Sequence, residues 1–274
     1  ADAELHVVIS TSYEQARDLT RAAALAAQTG DVVAVMGGDG MAHLGLNACA
    51  GTEATLAVIP AGTGNDFARG AGIPRAIPAA VEALVRGRTR RLDLTRLTNA
   101  VGSYYVGAVV SSGYDARVNR ATNDIRLRFG ALSYGYIALR ELASFDPLRY
   151  RLTIDGVQHE VSAMMVAIAN TGIFGGGIRI APGFDLTDGL LDVTIVHPVS
   201  RARLLTLFPR LAERLGQVER QEWPGALIDR LVLNPPHVVH VAQPAQHGRQ
   251  RVGGQGVQPF ERDERHLALQ SALL

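Results

Sequence analysis

Two glycine-rich turns, Gly37-Gly38-Asp39-Gly40 and Gly62-Thr63-Gly64-Asn65-Asp66, constrain this chain more than any other feature. Each follows a short apolar run, Val32 to Met36 and Leu56 to Ile59, and a helix-length segment joins them. Strand, glycine turn, helix and second strand is the order of a βαβ unit, which places both turns at one edge of a sheet. Glycine there permits close approach and unusual dihedrals, so that backbone N–H groups can face an anion. The neighbouring carboxylates offer hard oxygen ligands suited to Mg²⁺. The pair predicts a phosphorylated ligand with a divalent cation.

Composition narrows the classes around that reading. With 274 residues and 47% hydrophobic content, the chain suffices for one large domain or two medium ones with a sizeable core. Its 27 basic residues face 26 acidic ones, so no polyanion-binding signature is present and nucleic acid is not an expected partner. All the basic residues are Arg. Without lysine the usual P-loop device is excluded, and charge on a transferred phosphoryl group must be met by Arg, backbone donors or a metal. Cys49 is the single cysteine, which rules out an intrachain disulfide or a cysteine metal cluster. No apolar run reaches the roughly 18 to 20 residues that span a bilayer. The opening Ala1-Asp2-Ala3-Glu4 lacks the layout of a secretion signal. A cytoplasmic location is expected, with a peripheral position at the inner membrane face left open.

The first part of the chain alternates as βα units. Leu5 to Ile9 reads as a strand, and Tyr13 to Ala27 as a helix capped by Ser12 and stopped near Gly30. Val32 to Met36 is the next strand, followed by a helix from Met41 to Cys49, a strand from Thr55 to Ile59 and a short helix from Asn65 to Arg69. Pro78 suits the first turn of a helix reaching Val85. Arg90 to Leu97 reads as a strand with Asp93 near its middle. Beyond residue 99 strands dominate: Tyr104 to Val110, Leu148 to Ile154, Val157 to Asn170, Leu191 to Val196 and Leu231 to Leu233, with Asp155-Gly156 as a hairpin signal. Helices are expected around Leu132 to Ala143 and Arg201 to Leu215. The expected division is an α/β domain over residues 1–98 and a β-rich domain over 99–274, irregular from about 243.

Several residues suit the predicted ligand chemistry, each with a plainer reading. Asp39 follows two glycines at a strand end, where Asp-Gly is also an ordinary turn pair. Thr63, Asn65 and Asp66 lie where exposed N–H groups favour an anion, yet Asn65 or Asp66 could simply cap the helix. Asp93 is costly inside a strand unless paired or metal-bound, or it lies on a solvated face. Asp185 and Asp188 converge beside Gly189 as an oxygen shell would require, or as an Asp-rich turn before a strand. Gly175 to Gly177 reads as an active-site loop or as a mobile connection.

The segments Val35-Met36-Gly37-Gly38-Asp39-Gly40 and Ile59-Pro60-Ala61-Gly62-Thr63-Gly64-Asn65-Asp66-Phe67-Ala68-Arg69 closely resemble the catalytic domain of the diacylglycerol kinase and sphingosine kinase superfamily, above all its soluble bacterial lipid kinases. Ser112-Gly113-Tyr114-Asp115-Ala116, Gly175-Gly176-Gly177 before Ile180-Ala181-Pro182, and Asp185-Leu186-Thr187-Asp188-Gly189-Leu190-Leu191-Asp192-Val193 extend the similarity in the family's order, over roughly residues 5 to 240. The resemblance implies an α/β, two-lobed fold of the NAD kinase and diacylglycerol kinase type. Its nucleotide-binding α/β lobe would be followed by an antiparallel β-sandwich-like lobe, with the active site in the cleft between them. The implied activity is transfer of the γ-phosphoryl group of ATP, with Mg²⁺, to the hydroxyl of diacylglycerol or a related lipid.

Carried over, Asp39, Asp66 and Asp93 would act together on the phosphates through water and Mg²⁺. Gly37, Gly38, Gly40, Gly62, Thr63, Gly64 and Asn65 would contact the nucleotide. Asp185, Asp188 and the carbonyl of Leu190 would ligate a second, structural Mg²⁺. The expected partners are nucleotide, a lipid substrate and a membrane surface, with room for a homodimer. Leu142, Phe145, Leu148 and Phe174 could line an apolar slot for the acceptor or belong to ordinary core.

Two departures stand against the pattern. Nothing before Leu5 supplies the opening strand and its phosphate-contacting loop, and Leu5 to Ile9 matches the family's second strand. After the strand read at His237 to Ala242, an Asp-Gly-Glu-like motif holding the general base is expected, but the chain reads Gln243-Pro244-Ala245-Gln246-His247-Gly248, with no carboxylate until Glu261. Divergence and a change of reading frame would both produce this break. Two alternatives therefore accompany the lipid kinase: a nucleotide-binding protein of the same fold with impaired or no activity, and a related kinase with a soluble acceptor.

Overall fold

The computed structural model describes residues 4–98, 102–114, 117–118, 145–154 and 156–198, together with the backbone of two later strands. The chain divides into two units, Ala1–Gly107 and Ala108–Leu274. The predicted helices around 132–143 and 201–215, Asp155, Leu142 and the tail from 243 lie outside the described residues.

The first unit is built on local signals. Helix α1 (Tyr13–Ala26) starts at Ser12, whose side chain accepts the Gln15 N–H at 3.1 Å. The Gln15 side chain in turn accepts the Thr11 N–H at 2.6 Å, a reciprocal arrangement akin to a capping box. Ala16 and Ala24 are buried on the same side of this helix, which packs against α2 (Asp39–Cys49). Helix α2 is the crossover between strands β1 (Val32–Gly37) and β2 (Thr55–Pro60), which pair in parallel with Val35 opposite Val58. It lies close on the sheet because residue 45 is glycine: a Cβ there would stand 2.6 Å from Leu56 Cδ1. Short helix α3 (Asp66–Gly70) follows β2, and α4 (Ile77–Val85), with Pro78 in its first turn, packs against β2. Strands β3 (Thr95–Thr98) and β4 (Ser103–Val106) form an antiparallel hairpin.

Two expectations in this unit are corrected. Residues 5–9 form no strand, and Leu5, Val7, Val8 and Ile9 are all solvent-exposed. A strand exists only through its ladder, and among the described residues the parallel sheet of this unit holds β1 and β2 alone, with residues 5–9 paired to neither. The strand expected from Arg90 begins only at Thr95, because β4 offers just four partners, Ser103 to Val106. Asp93 therefore precedes the strand instead of sitting inside it.

The second unit contains two antiparallel sheets. One has the order β12-β11-β8-β5, from β5 (Val109–Gly113), β8 (Met165–Ala169), β11 (Leu191–Val196) and β12 (Ile228–Leu233). The other joins β6 (Leu148–Ile154), β7 (Val157–Ala163) and β13 (Val239–Ala242) in the order β13-β6-β7. Ile154 pairs with Val157 across a two-residue connection, where Gly156 takes φ +81°. Tyr150, Leu152 and Ile154 from one sheet share a buried cluster with Val166, Ile168, Val193 and Ile195 from the other, which makes the pair a sandwich. On the opposite face of β8, Met165, Ala167 and Ala169 pack with Val109, Ile180 and Ala181. The run read as one strand from Val157 to Asn170 is two, broken at Met164, whose N–H donates to the Val196 carbonyl at 2.7 Å. Likewise Tyr104 to Val110 is split between β4 and β5. Two-residue strands β9 (Ile173–Phe174) and β10 (Ile178–Arg179) flank Gly175 to Gly177. Each of these three glycines has positive φ.

Candidate active site at the two glycine turns

The parallel pairing of β1 and β2 carries both turns to the same end of the sheet, where Ala61 N–H donates to the Gly37 carbonyl at 2.8 Å. The turns then meet backbone to backbone. A Cβ on Gly62 would lie 2.4 Å from Gly38 Cα, so only glycine allows the contact. Gly38 caps α2, Asp39 and Gly40 open its first turn, and Gly37 abuts Met41 with no room for a side chain.

The second turn is held from inside by Asn65. Its carboxamide accepts the Gly62 N–H at 3.0 Å and donates to the Gly62 carbonyl at 2.7 Å. Asn65 has φ +54°, and it is the non-glycine residue with positive φ among those described. Asparagine tolerates that left-handed conformation because its short side chain bonds locally. Arg69 Nε donates to the Gly64 carbonyl at 3.1 Å and braces the loop from the following helix. Thr63, at the tip, is exposed.

Asp39 and Asp66 come together over this loop. Asp39 Oδ1 accepts the Phe67 N–H, one of the unsatisfied donors at the start of α3, at 3.0 Å. Asp39 Oδ2 and Asp66 Oδ2 stand 3.0 Å and 3.7 Å from the point a Cβ on Gly64 would occupy. Glycine at 64 thus keeps open a small volume with two carboxylate oxygens around it, at the N-terminal end of α2, where the helix dipole adds positive potential. Two carboxylates beside glycine turns fit Mg²⁺, which is commonly held by one or two protein carboxylates plus phosphate oxygens and water. Asp93 lies on the segment ahead of β3, and no group of three or more acidic, His or Cys side chains able to hold one ion occurs among the described residues.

In the second unit Asp185 Oδ1 accepts the N–H and hydroxyl of Thr187, at 2.9 and 2.7 Å, and Asp188 Oδ1 accepts the Leu190 N–H at 2.9 Å. Both carboxylates are exposed and shape the turn that feeds β11. Phe145 is buried against Met164 with Leu148 and Tyr114 alongside, while Phe174 packs on the separate Val109 cluster.

Residues 1–97 match the family described as diacylglycerol kinase catalytic domain, and residues 108–220 match the YegS C-terminal NAD kinase beta sandwich-like domain. The chain belongs to the diacylglycerol kinase superfamily. It is 41% identical over 207 residues to a diacylglycerol kinase of Mycobacterium tuberculosis, covering 74% of this chain and 66% of that protein. To a diacylglycerol kinase of Bacillus subtilis it is 31% identical over 198 residues, 69% of this chain and 63% of the relative. The chain therefore spans just under two thirds of these relatives. A crystal structure of a diacylglycerol kinase from Bacillus anthracis shares the fold, with TM-score 0.63 at 20% identity, over 88% of this chain and 74% of that one. The two-domain architecture, an α/β catalytic lobe and a β-sandwich-like lobe, is the family's.

Sequence reasoning missed the supports behind these residues. Asn47 and His43 are one helical turn apart on α2 and carry no motif of their own. Yet the Asn47 carboxamide binds both backbone groups of Tyr105, donating to its carbonyl and accepting its N–H, each at 2.8 Å. His43 lies against Asn47, and burial lowers its imidazole from 6.5 to about 4. The unfolded chain therefore takes up this proton first as pH falls, and stability is lost progressively from pH 6.5 down to about 4. The upper bound for this one group is about 3 kcal/mol. Thermal melts at pH 7 and 4.5 are expected to show a smaller acid-induced loss for His43→Gln than for the parent chain, and equal losses would refute the assignment.

Proposed function

We propose that the chain is an ATP-dependent lipid kinase, transferring the γ-phosphoryl group to the hydroxyl of diacylglycerol or a related lipid. The observation that carries this reading is the volume over Gly64, where Asp39 and Asp66 face one point beside two glycine turns in contact. Phosphoryl transfer needs little covalent help from a protein and much positioning and charge stabilisation. ATP with Mg²⁺ supplies, when bound, the phosphoryl group and the neutralising charge. Asp39 and Asp66 would hold the ion, and Gly37, Gly38, Gly40, Gly62, Thr63, Gly64 and Asn65 would face the phosphates. The backbone of the turns would contact the chain of phosphates, and the Asn65 and Arg69 bonds hold the second turn in shape. Asp93 is assigned to the same work through water.

A thin-layer assay with labelled ATP, Mg²⁺, several lipids in vesicles and short water-soluble alcohols tests the proposal. Phosphorylated lipid is the expected product. Equal activity on a soluble alcohol would count for the soluble-acceptor reading. The sequence break after Ala242, where the general base is expected, favours a second reading: a nucleotide-binding protein of this fold with impaired turnover. Nucleotide binding with no product on any acceptor would select it. The acceptor, being amphiphilic, would be met at a membrane surface, and flotation with anionic liposomes checks that contact. No helix among the described residues is long and apolar enough to cross a membrane.

Asp185, Asp188 and the Leu190 carbonyl are proposed as the structural Mg²⁺ site of the second unit. An ion bound only by the folded chain stabilises by mass action, about 2.7 kcal/mol at 100 times Kd. Mg²⁺ is expected to raise the melting temperature of the parent chain over that in EDTA and to leave Asp188→Ala unmoved. A parent chain indifferent to Mg²⁺ would defeat the assignment.

A further inference from the structure

We infer that Asn47 and Arg90 are positioning residues that together anchor the segment carrying Asp93 to the two helices that begin with Asp39 and Asp66. The inference rests on the kinase reading above, in which the three aspartates serve one phosphate site.

Asp93 is half-buried in a short irregular segment between Arg90 and the first residue of β3, Thr95. Both ends of that segment are tied down by side chains. At its start, the Arg90 guanidinium donates to the carbonyl of Ala71. Ala71 is the C-terminal cap of α3, the helix that begins with Asp66. At its end, Thr95 and Arg96 pair with Val106 and Tyr105 of β4. Tyr105 is the residue whose N–H and carbonyl are both taken by Asn47, at 2.8 Å each. Asn47 stands on α2, the helix that begins with Asp39. Each aspartate-bearing helix therefore anchors one end of the segment that carries the third aspartate.

The chemistry of the two clamps makes them specific. A carboxamide has one donor side and one acceptor side, so it can match a backbone N–H and C=O in only one orientation. Asn47 also donates to the His43 carbonyl at 3.0 Å, which fixes its rotamer on the helix. Arg90 reaches a carbonyl left without an intrahelical partner by the end of α3. With both ends held, only the few residues between Arg90 and Thr95 are left to move. Displacing a reacting or charge-bearing group by about 1 Å can cost about 10²-fold in rate.

A double-mutant cycle on the whole chain tests this, read as affinity for a fluorescent ATP analogue with Mg²⁺ and again with EDTA. Asn47→Asp keeps the acceptor for Tyr105 N–H but sets a carboxylate oxygen against the Tyr105 carbonyl, and Arg90→Gln removes the second clamp independently. Each is expected to weaken Mg²⁺-dependent binding about 10-fold, with Asp93→Asn adding less than about 2-fold in either background. Faster hydrogen exchange at the Tyr105 amide, with unchanged circular dichroism, is expected for Asn47→Asp. Should that variant fail to fold, Arg90→Gln decides alone. If Asp93→Asn costs the same factor with and without the clamps, or if the clamp variants bind as the parent does, the inference is overturned. A parent chain that binds Mg²⁺-nucleotide but phosphorylates no acceptor would sink the kinase reading while the cycle still decides this one. A parent chain that binds no nucleotide overturns both.

Discussion

Asp39→Ala is expected to lower lipid phosphorylation by about 10²- to 10³-fold at saturating ATP and Mg²⁺, while the chain stays folded. Two effects combine in this substitution. The carboxylate that faces the volume over Gly64 is lost, and the Phe67 N–H loses the acceptor it finds at 3.0 Å. The second loss costs stability, about 1–3 kcal/mol for a donor left without a partner. Asp39→Asn separates the two, since its Oδ1 still accepts that N–H while the charge is gone. Turnover of the Asn variant should fall nearly as far as that of the Ala variant, with a smaller drop in melting temperature. Parent-like kinetics for either variant would remove Asp39 from the phosphate site.

The second large effect is on stability. A Cβ at residue 62 would stand 2.4 Å from Gly38 Cα and 3.0 Å from Gly38 N, all backbone atoms with no rotamer to change. Gly62→Ala must push the two turns apart, for about 3 kcal/mol or more, with loss of nucleotide binding. Gly64→Ala is the informative contrast. The nearest atoms to its Cβ are side-chain carboxylate atoms, Asp39 Oδ2 at 3.0 Å and Asp66 Oδ2 at 3.7 Å, so the fold should hold while the space between Asp39 and Asp66 is filled. Melting curves with nucleotide titrations should show the first variant unstable and the second stable yet unable to bind. Nucleotide binding at parent affinity by Gly64→Ala would show that the phosphates lie elsewhere.

What could be read along the chain was whatever is decided within a few residues. Ser12 caps α1 by accepting the N–H three residues on, and Pro78 fits the first turn of α4 because its missing N–H has no intrahelical acceptor there. The glycine turns were legible for the same reason, as were β1 and β2 from their apolar runs, and the family resemblance rests on those same local motifs. Leu5 to Ile9 shows the limit. Its residues favour a strand as strongly as those of β1, but a strand needs a neighbour, and no property of the segment itself supplies one. The late start of β3 has the same cause, set by the four residues of β4.

The sequence by itself determined the two-domain division of texture, the glycine turns and the carboxylates beside them, because spacing and residue type are local quantities. Only the tertiary structure decided which of those groups meet. Asp39 reaches Phe67 across 28 residues, and Asn47 reaches Tyr105 across 58, through contacts that pay their entropy only once β1, α2 and β2 are packed. Packing brought Asp39 and Asp66 to one point over Gly64 and tied Arg90 to the end of α3 and Tyr105 to α2, on either side of the segment that carries Asp93.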